Sequence, residues 1–429
     1  MLTLPDYIAK TVPNPTTNRA PWYKNTAPSY AGTFLWVAFY QTIAVGTLNV
    51  GGLGIALISL VVAGLLSYAL YYYVPGMLGM KTGYPLYVVG SSTFGTTGGY
   101  VMPGLLMGLL QVGWFAVASF YATQYILSGL KTDITPGTPT FWIVCVVWGY
   151  IMAWVGVRGI RYVARVSLFL NMIPFLMIVI MAAKNWEGVS HFRVAGSNPI
   201  AAFTTMLALV IGFFATGGAA GTDFGMNNRD ARDVKMGGLV GIVLASVLAG
   251  GLPLIAIAGA HGLNPQLASY NYGDVIGATG GGLASAMFFL FAIASVAPAC
   301  FCAFIAGNSF STMIPRVPRL ASSMVGVTIA IVLAATGVAA NLARFFGLVG
   351  ASFGPICGAM VADYLLSGRE WAGPRSGINW AGYLAWGIGF VVGITPSVPA
   401  AVVCSFVVGL AVYTLAAKLG LEPKTVTCP

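Results

Sequence analysis

Charged side chains are scarce in this sequence. Asp, Glu, Lys and Arg make up 7% of its 429 residues, and only two residues are histidine. An ordinary soluble domain carries roughly 25% charged residues. Neither histidine lies in a metal-binding spacing such as His-Glu-x-x-His, and the six cysteines show no metal-ligand spacing either. These absences disfavour a metal-dependent hydrolase, and we predict that the chain is not an enzyme.

Apolar residues are abundant instead, at 58% of the chain. Runs of about 20 apolar residues, enough to cross a hydrocarbon core about 30 Å thick, recur along its whole length. They leave no room for a separate soluble domain, so we predict an all-α membrane protein with about twelve transmembrane helices. The twelve apolar segments centre near Val37, Leu60, Leu109, Val147, Phe175, Leu209, Val243, Ile293, Ile331, Gly354, Gly387 and Val407.

The basic residues are distributed unevenly between the connecting loops. If successive segments alternate in direction, sixteen of the twenty Lys and Arg residues fall on the side of the N-terminus. Such an excess marks the cytoplasmic side. We therefore expect a multi-pass protein of the plasma (inner) membrane with both termini cytoplasmic. The net charge of +10 then reflects topology rather than a nucleic-acid partner. The first 25 residues contain four prolines and no early apolar stretch, so no secretory signal peptide is evident.

Two apolar segments carry polar or glycine-rich interruptions. The first, about 29–52, contains Tyr40-Gln41-Thr42 and a glycine cluster at 46–54; the sixth, about 200–224, is glycine-rich in its second half. Freed backbone groups at membrane depth are tolerated where they line a cavity, so interrupted helices point to a binding site. We predict that helices 1 and 6 are discontinuous and that Gly212, Gly217 and Gly218 form the second break. The alternative is that these glycines permit close helix packing.

If the sixth segment begins a second copy of the architecture, the chain contains two five-helix halves of opposite orientation. The predicted units are a cytoplasmic N-terminal segment, two inverted repeats, a pair of additional helices and a cytoplasmic tail. Their bounds are 1–27, 28–185, 198–367, 376–420 and 421–429.

Gln111 and Trp114 are candidate ligand-binding residues on the third segment. Three residues apart, they share one helix face. A carboxamide offers donors and an acceptor, and an indole offers a stacking surface, so the pair suits a planar heterocycle. Phe214 would stack on the opposite face of the ring, Thr216 would add a hydroxyl, and backbone groups freed within Gly212–Gly218 would complete the polar rim. The alternative interpretation of Trp114 is an interfacial or packing aromatic.

Several blocks of the sequence resemble the nucleobase:cation symporter-1 family, and within it the cytosine permease and purine–cytosine permease branch. They occur in the order and spacing of that family between about residues 29 and 380. The blocks are Lys81-Thr82-Gly83, Gln111-Val112-Gly113-Trp114-Phe115, Thr222-Asp223-Phe224 with Arg229 and Asp230, Ala362-Asp363-Tyr364-Leu365, and Asn379-Trp380.

The resemblance implies a LeuT-like fold, with a 5+5 inverted repeat plus two C-terminal helices, and alternating-access uptake of a nucleobase. It implies that the base stacks on Trp114 and Phe214, that Gln111 reads its edge, and that the chain near Ala38 to Gln41 approaches the substrate or the cation. We therefore include Gln41 among the substrate-binding candidates.

The eighth segment departs from the pattern of sodium-coupled relatives. Those relatives present neighbouring Ser or Thr hydroxyls there, whereas residues 294–300 of this chain contain the single hydroxyl of Ser295. The expected cation site consists of Ala38, Gln41 and Ser295. Coupling to Na⁺ and coupling to H⁺ both stay open, and no other cofactor is expected.

The function expected from these residues is secondary active import of a small nucleobase, cytosine or a purine, across the lipid bilayer. A carrier of a hydantoin, allantoin or a thiamine-precursor pyrimidine is the alternative with the same fold, because ring stacking does not fix the polar edge of the solute. A passive channel or facilitator is the alternative from another class, and it would not accumulate its solute against a gradient.

Overall fold

A computed structural model of the chain describes residues 4–426 except residues 195, 268 and 315. For residues 159–168 it describes the backbone and not the side chains, so Arg161 and Arg165, two of the basic residues predicted to be cytoplasmic, fall outside the described side chains. The outermost residues of the predicted terminal segments, 1–3 and 427–429, also lie outside the described residues.

The described chain is almost entirely helical, with two isolated bridges in place of any sheet. Thirteen helical runs position the site, and several include short π-helical or 3₁₀ turns. They are α1 (Thr26–Phe34), α2 (Val37–Tyr40), α3 (Leu48–Thr82), α4 (Leu86–Phe94), α5 (Gly98–Gly129), α6 (Pro139–Lys184), α7 (Pro199–Ala219), α8 (Gly221–Gly225), α9 (Ala231–Leu263), α10 (Tyr272–Ala278), α11 (Gly281–Met313), α12 (Arg319–Ala335) and α13 (Leu342–Leu366). Two more, α14 (Trp380–Ile394) and α15 (Ala401–Lys418), follow near the C-terminus.

Eight helical stretches within the described residues are long and apolar enough to cross a membrane, and three shorter apolar stretches accompany them: the second part of α6 (Phe169–Lys184), α12 and α14. The interrupted first segment, α1 and α2, is a further apolar element. An integral multi-pass membrane protein therefore follows from helix length and composition.

The fourth and fifth apolar segments are predicted to be two separate helices, but one continuous helix contains both. Both segments lie in the 46-residue helix α6, which begins after an N-cap at Thr138 and continues to Lys184. The intervening sequence, residues 158–168, contains no proline that would end a helix there.

The helices pack as two groups. One group contains α1, α3, α7 and α9; the other contains α5, α6, α11 and α12. Helix α13 packs against α7 and against the two last helices, α14 and α15. The centre of the molecule is therefore an interface between two helix groups.

Both ends of the described chain meet at the same end of the bundle. The Tyr7 hydroxyl donates to the Thr96 carbonyl at 2.8 Å, and the Thr96 amide donates to the Arg375 carbonyl at 2.7 Å. The Val426 amide in turn donates to Pro374 at 2.7 Å. The two ends of the described chain therefore lie close together in space.

A buried ion pair between Arg375, in the connection before α14, and Asp363 of α13 also contacts α4. The Arg375 guanidinium lies 2.8 Å from the Asp363 carboxylate and 3.0 Å from Glu422, and Asp363 also accepts the hydroxyls of Ser92 and Thr93. Burial alone would lower the pKa of Arg375, but the Asp363 carboxylate raises the pKa above its usual value. Asp363 is therefore a structural anchor between α13, α4 and Arg375.

The prediction that glycines form the break in the sixth segment is wrong. Gly212, Gly217 and Gly218 lie inside the regular helix α7, and the interruption comes later, at Ala220. A methyl group at Gly212 would lie 2.5 Å from the Phe346 carbonyl oxygen, and one at Gly218 would lie 2.6 Å from Cβ of Tyr71. These two glycines are needed for close approach of α13 and α3, so the packing alternative is the correct one.

The three glycines should respond differently to alanine. Gly212→Ala and Gly218→Ala should lower the free energy of unfolding by about 1–3 kcal/mol, because each methyl overlaps a packed neighbour. Gly217→Ala should be neutral or stabilising, because its methyl would meet the Phe214 ring at 3.5 Å and alanine favours helix by about 1 kcal/mol. Thermal melts of the purified variants in detergent measure this order. Greatest destabilisation at Gly217 would restore the interpretation of a glycine break.

Candidate functional site

The first apolar segment is interrupted between α1 and α2. Helix α1 ends at Phe34, Trp36 adopts an extended conformation with φ −71° and ψ 132°, and α2 begins at Val37. The Tyr40 hydroxyl reaches back across the gap and donates to the Leu35 carbonyl at 3.3 Å. A tyrosine side chain thus satisfies one backbone group that the interruption frees.

The interruption of the sixth segment lies beside α1. Helix α7 ends at Ala219 and α8 begins at Gly221. The carbonyl of Gly217, just before this point, accepts the hydroxyl of Tyr30 at 2.8 Å. The two interrupted segments are therefore tied to each other by a buried hydrogen bond.

Trp114 and Thr216, two of the predicted site residues, meet across the interface between the helix groups. The Trp114 indole N–H donates to the Thr216 hydroxyl oxygen at 3.2 Å. Both side chains are buried, with exposed fractions of 4% and 5%. The hydrogen bond joins α5 in one group to α7 in the other, so any relative movement of the groups acts on it.

Aromatic rings surround the Trp114 indole. The ring centres of Phe345, Phe213 and Trp36 lie 4.8, 5.3 and 5.6 Å from that of Trp114, and Phe346 follows at 5.6 Å. These distances are those of packed aromatic pairs. The Thr216 hydroxyl is a polar group in direct contact with this aromatic cluster. Such a site suits a flat solute with a polar rim.

Phe214 does not face Trp114, although it is predicted to stack on the opposite face of the solute ring. Its ring is fully buried and packs against Tyr30 at 5.3 Å and Phe34 at 5.5 Å, on the side of α1. Its neighbour Phe213 is the residue of α7 that contacts Trp114. Adjacent helical residues point about 100° apart, since the helix has about 3.6 residues per turn, so only one of the two can face α5.

Gln111 lies one turn before Trp114 on α5, with an exposed fraction of 8%. Its amide nitrogen contacts the Met107 sulfur at 3.7 Å. A thioether is a weak acceptor, so this contact leaves the carboxamide available to a stronger partner.

Gln41 serves a different contact from the one predicted. Its side-chain oxygen accepts the Tyr125 hydroxyl at 2.8 Å and the Gly273 amide at 3.1 Å, and its carbonyl accepts the Tyr272 amide at 2.9 Å. These bonds fasten the short helix α10 over the end of α2. With two donors on its oxygen, Gln41 links α2 to α5 and α10, and its predicted role toward a solute or a cation stays a prediction.

The two other residues of the expected cation site lie on neighbouring elements. Ala38 is fully buried in α2, and Ser295 is fully buried in α11, where its hydroxyl donates to the Phe291 carbonyl at 3.0 Å. The Phe291 ring lies 6.3 Å from that of Tyr40, which brings α11 beside α2. The Ser295 oxygen keeps lone pairs that could accept or coordinate.

Sequence reasoning missed Trp36 and Phe213. Trp36 lies at an interruption that has no glycine or proline, so its position carries no local signal. Phe213 and Phe214 are adjacent and chemically identical, so a single sequence cannot say which faces α5.

Comparison with known proteins places this geometry among transporters. The sequence profile of a family described as permeases for cytosine/purines, uracil, thiamine and allantoin matches residues 11–414. The cytosine permease of Escherichia coli O157:H7 is 26% identical over 329 residues, which cover 74% of this chain and 73% of the relative. The cytosine permease of Escherichia coli K12 is 25% identical with the same coverage.

Three solved structures resemble the chain over nearly its full length. The inward-facing conformation of Mhp1 matches with a TM-score of 0.79 at 16% identity, covering 98% of this chain and 95% of Mhp1. Mhp1 in a closed conformation with bromovinylhydantoin bound gives 0.72 at 18%, with 97% and 95% covered. A Na⁺-coupled sialic acid symporter gives 0.62 at 13%, with 98% and 93% covered. These similarities establish a LeuT-like fold; the division into two five-helix repeats plus two helices and the residue bounds of the repeats stay predictions.

The contacts of Gln41 predict its mutant phenotype. Gln41→Leu should speed deuterium exchange of the amides of residues 272–278 by about fivefold, because the Gly273 amide loses its acceptor and a hydrogen bond is worth about 1 kcal/mol. Hydrogen-exchange mass spectrometry measures this, with the exposed Gln266→Leu in the preceding loop as the matched control. Unchanged exchange in residues 272–278 would contradict the fastening role.

Proposed function

The chain belongs to the family of permeases for cytosine/purines, uracil, thiamine and allantoin, and we propose that it is a secondary active transporter of a planar nitrogenous heterocycle. Cytosine or a purine is the proposed solute, imported across the plasma (inner) membrane of a cell by a protein with cytoplasmic termini. The chain is a membrane transporter and not an enzyme, as its relatives are permeases.

The buried aromatic site between the two helix groups carries this proposal. Trp114 offers a stacking face, its indole edge is fixed by Thr216, and Gln111 supplies a carboxamide one turn away. Base–aromatic stacking is worth about 1–3 kcal/mol per base and tolerates different bases. A carboxamide and a hydroxyl add the donors and acceptors that a nucleobase edge needs.

The packing of the helices in two groups is consistent with transport by alternating access. In transporters of this architecture, one helix group moves against the other around a fixed site near the bilayer midplane. Here the groups meet at the Trp114–Thr216 hydrogen bond, while α10 covers the end of α2 through Gln41. Solute bound at Trp114 would contact both groups at once, which lets binding bias their arrangement.

A hydantoin, allantoin or a thiamine-related pyrimidine is the second candidate solute. One structural relative binds bromovinylhydantoin, and the family description includes uracil, thiamine and allantoin. The sequence similarity to two cytosine permeases favours cytosine over these.

Coupling to a cation, H⁺ or Na⁺, completes the proposal. Sodium binds several oxygen ligands at once. Among the candidate cation ligands, Ser295 offers a side-chain hydroxyl oxygen and Ala38 offers a backbone carbonyl oxygen. The side-chain oxygen of Gln41 already accepts two hydrogen bonds.

Replacement of Trp114 tests the stacking site. In proteoliposomes, the wild-type protein should accumulate radiolabelled cytosine or a purine against its gradient, and an ionophore should abolish the accumulation. Trp114→Ala should lower uptake by about tenfold or more through loss of stacking, while Trp114→Phe keeps a larger share. Trp154→Ala is the control, because Trp154 is 56% exposed on α6. Accumulation of an amino acid or a sugar in place of any heterocycle would refute the proposal, as would downhill equilibration alone.

Replacement of Ser295 tests the coupling ion. If sodium is bound, uptake by the wild type should rise with external Na⁺, and Ser295→Ala should require several-fold more Na⁺ for half-maximal uptake. If protons drive transport, uptake should follow an imposed pH gradient in both proteins and ignore Na⁺. Ser59→Ala is the control, since this buried serine bonds its own helix at Ile55 in the same way. Dependence on neither gradient would argue for a facilitator.

A further inference from the structure

Trp36 lies at the interruption of the first apolar segment between α1 and α2. It falls between Phe34 at the end of α1 and Val37 at the start of α2, and its exposed fraction is 6%. Its backbone is extended, and its indole is buried among the packed helices.

The indole N–H of Trp36 has no hydrogen-bond partner among the described residues, although the atom is buried. Three other tryptophans of this chain have a hydrogen-bond acceptor for the indole N–H, as buried tryptophans usually do. The N–H groups of Trp114, Trp371 and Trp386 donate to Thr216, to the Val89 carbonyl and to the Ser352 carbonyl, at 3.2, 3.0 and 3.0 Å. An unpaired buried donor destabilises the protein that carries it, and a bound molecule that supplies an acceptor removes this cost.

The surroundings of Trp36 indicate where the missing acceptor comes from. Its ring centre lies 5.6 Å from that of Trp114 and 6.4 Å from that of Phe213. Trp36 is therefore part of the aromatic cluster at which the solute is proposed to bind, on the α1–α2 side of it. The Trp114 N–H is already used by Thr216, which leaves the Trp36 N–H as the unused indole donor of the cluster.

We propose that Trp36 is a specificity-determining residue whose indole N–H donates to an acceptor on the transported heterocycle, either a carbonyl oxygen or an unprotonated ring nitrogen. This inference rests on the proposed function and narrows it. The solute presents an acceptor edge to the interruption of the first segment while its face lies against Trp114. Flat aromatic molecules without an acceptor on that edge are rejected, because they leave the N–H unpaired in the complex as well.

Binding to a panel of analogues tests the proposal in the full-length protein. The probes are cytosine, a purine base, and analogues of each in which one ring nitrogen is replaced by C–H or one carbonyl is removed. The wild type should bind one such analogue about tenfold or more weakly than its parent, the effect of a single lost hydrogen bond. Trp36→Phe should bind the parent about tenfold more weakly and should no longer distinguish it from that analogue.

Trp386→Phe is the matched control, since its indole N–H is paired with the Ser352 carbonyl. It should keep the analogue preference of the wild type. Without solute, Trp386→Phe should melt at a lower temperature than Trp36→Phe, because only the former loses a hydrogen bond of the protein itself.

The outcomes separate this inference from the proposed function. If the wild type binds the parent bases and Trp36→Phe weakens every analogue equally, or keeps the full preference, the role of Trp36 is overturned and the function stands. If the wild type binds none of the heterocycles, both are overturned.

Discussion

A backbone polar group that leaves its helix inside a membrane must find another partner, and this constraint organises the centre of the protein. Unpaired groups cost several kcal/mol in hydrocarbon, so interruptions persist only where side chains satisfy them. Here tyrosines do so: Tyr40 reaches the Leu35 carbonyl and Tyr30 reaches the Gly217 carbonyl. The second bond also ties the two interrupted segments to each other. These tyrosines of the central helices therefore have a structural role, because they donate hydrogen bonds to backbone carbonyls that the interruptions free.

The same constraint separates paired from unpaired groups around the site. The Gln41 side-chain oxygen is paired with the Tyr125 hydroxyl and the α10 backbone, and the Trp114 N–H is paired with Thr216. Gln111 has a weak partner, and the Trp36 N–H has none among the described residues. A permease benefits from such a division, because saturated groups keep the architecture while unsatisfied groups supply the free energy of binding. Specificity then lies in the few groups that the protein leaves unpaired.

The sequence predicts the class of fold and the location of the site better than the orientation of its side chains. Apolar segment length and family-like blocks suffice for a LeuT-like transporter, and Trp114 with Thr216 does lie at the meeting of two helix groups. The glycines of α7 led to a wrong prediction of a helix break, because glycine is favoured both where helices pack closely and where a helix is broken. Phe213 and Phe214 differ only in the face they present, and Trp36 lies at an interruption without any glycine or proline. Each of these depends on tertiary contacts that local sequence does not encode.

An electron cryomicroscopy map of the transporter loaded with cytosine or the purine it carries would locate the solute directly. We expect ring density against the face of Trp114, with an acceptor atom within about 3.2 Å of the Trp36 indole nitrogen, and a first segment interrupted between Phe34 and Val37. Density for the solute elsewhere, or a first helix continuous through Trp36, would contradict this expectation.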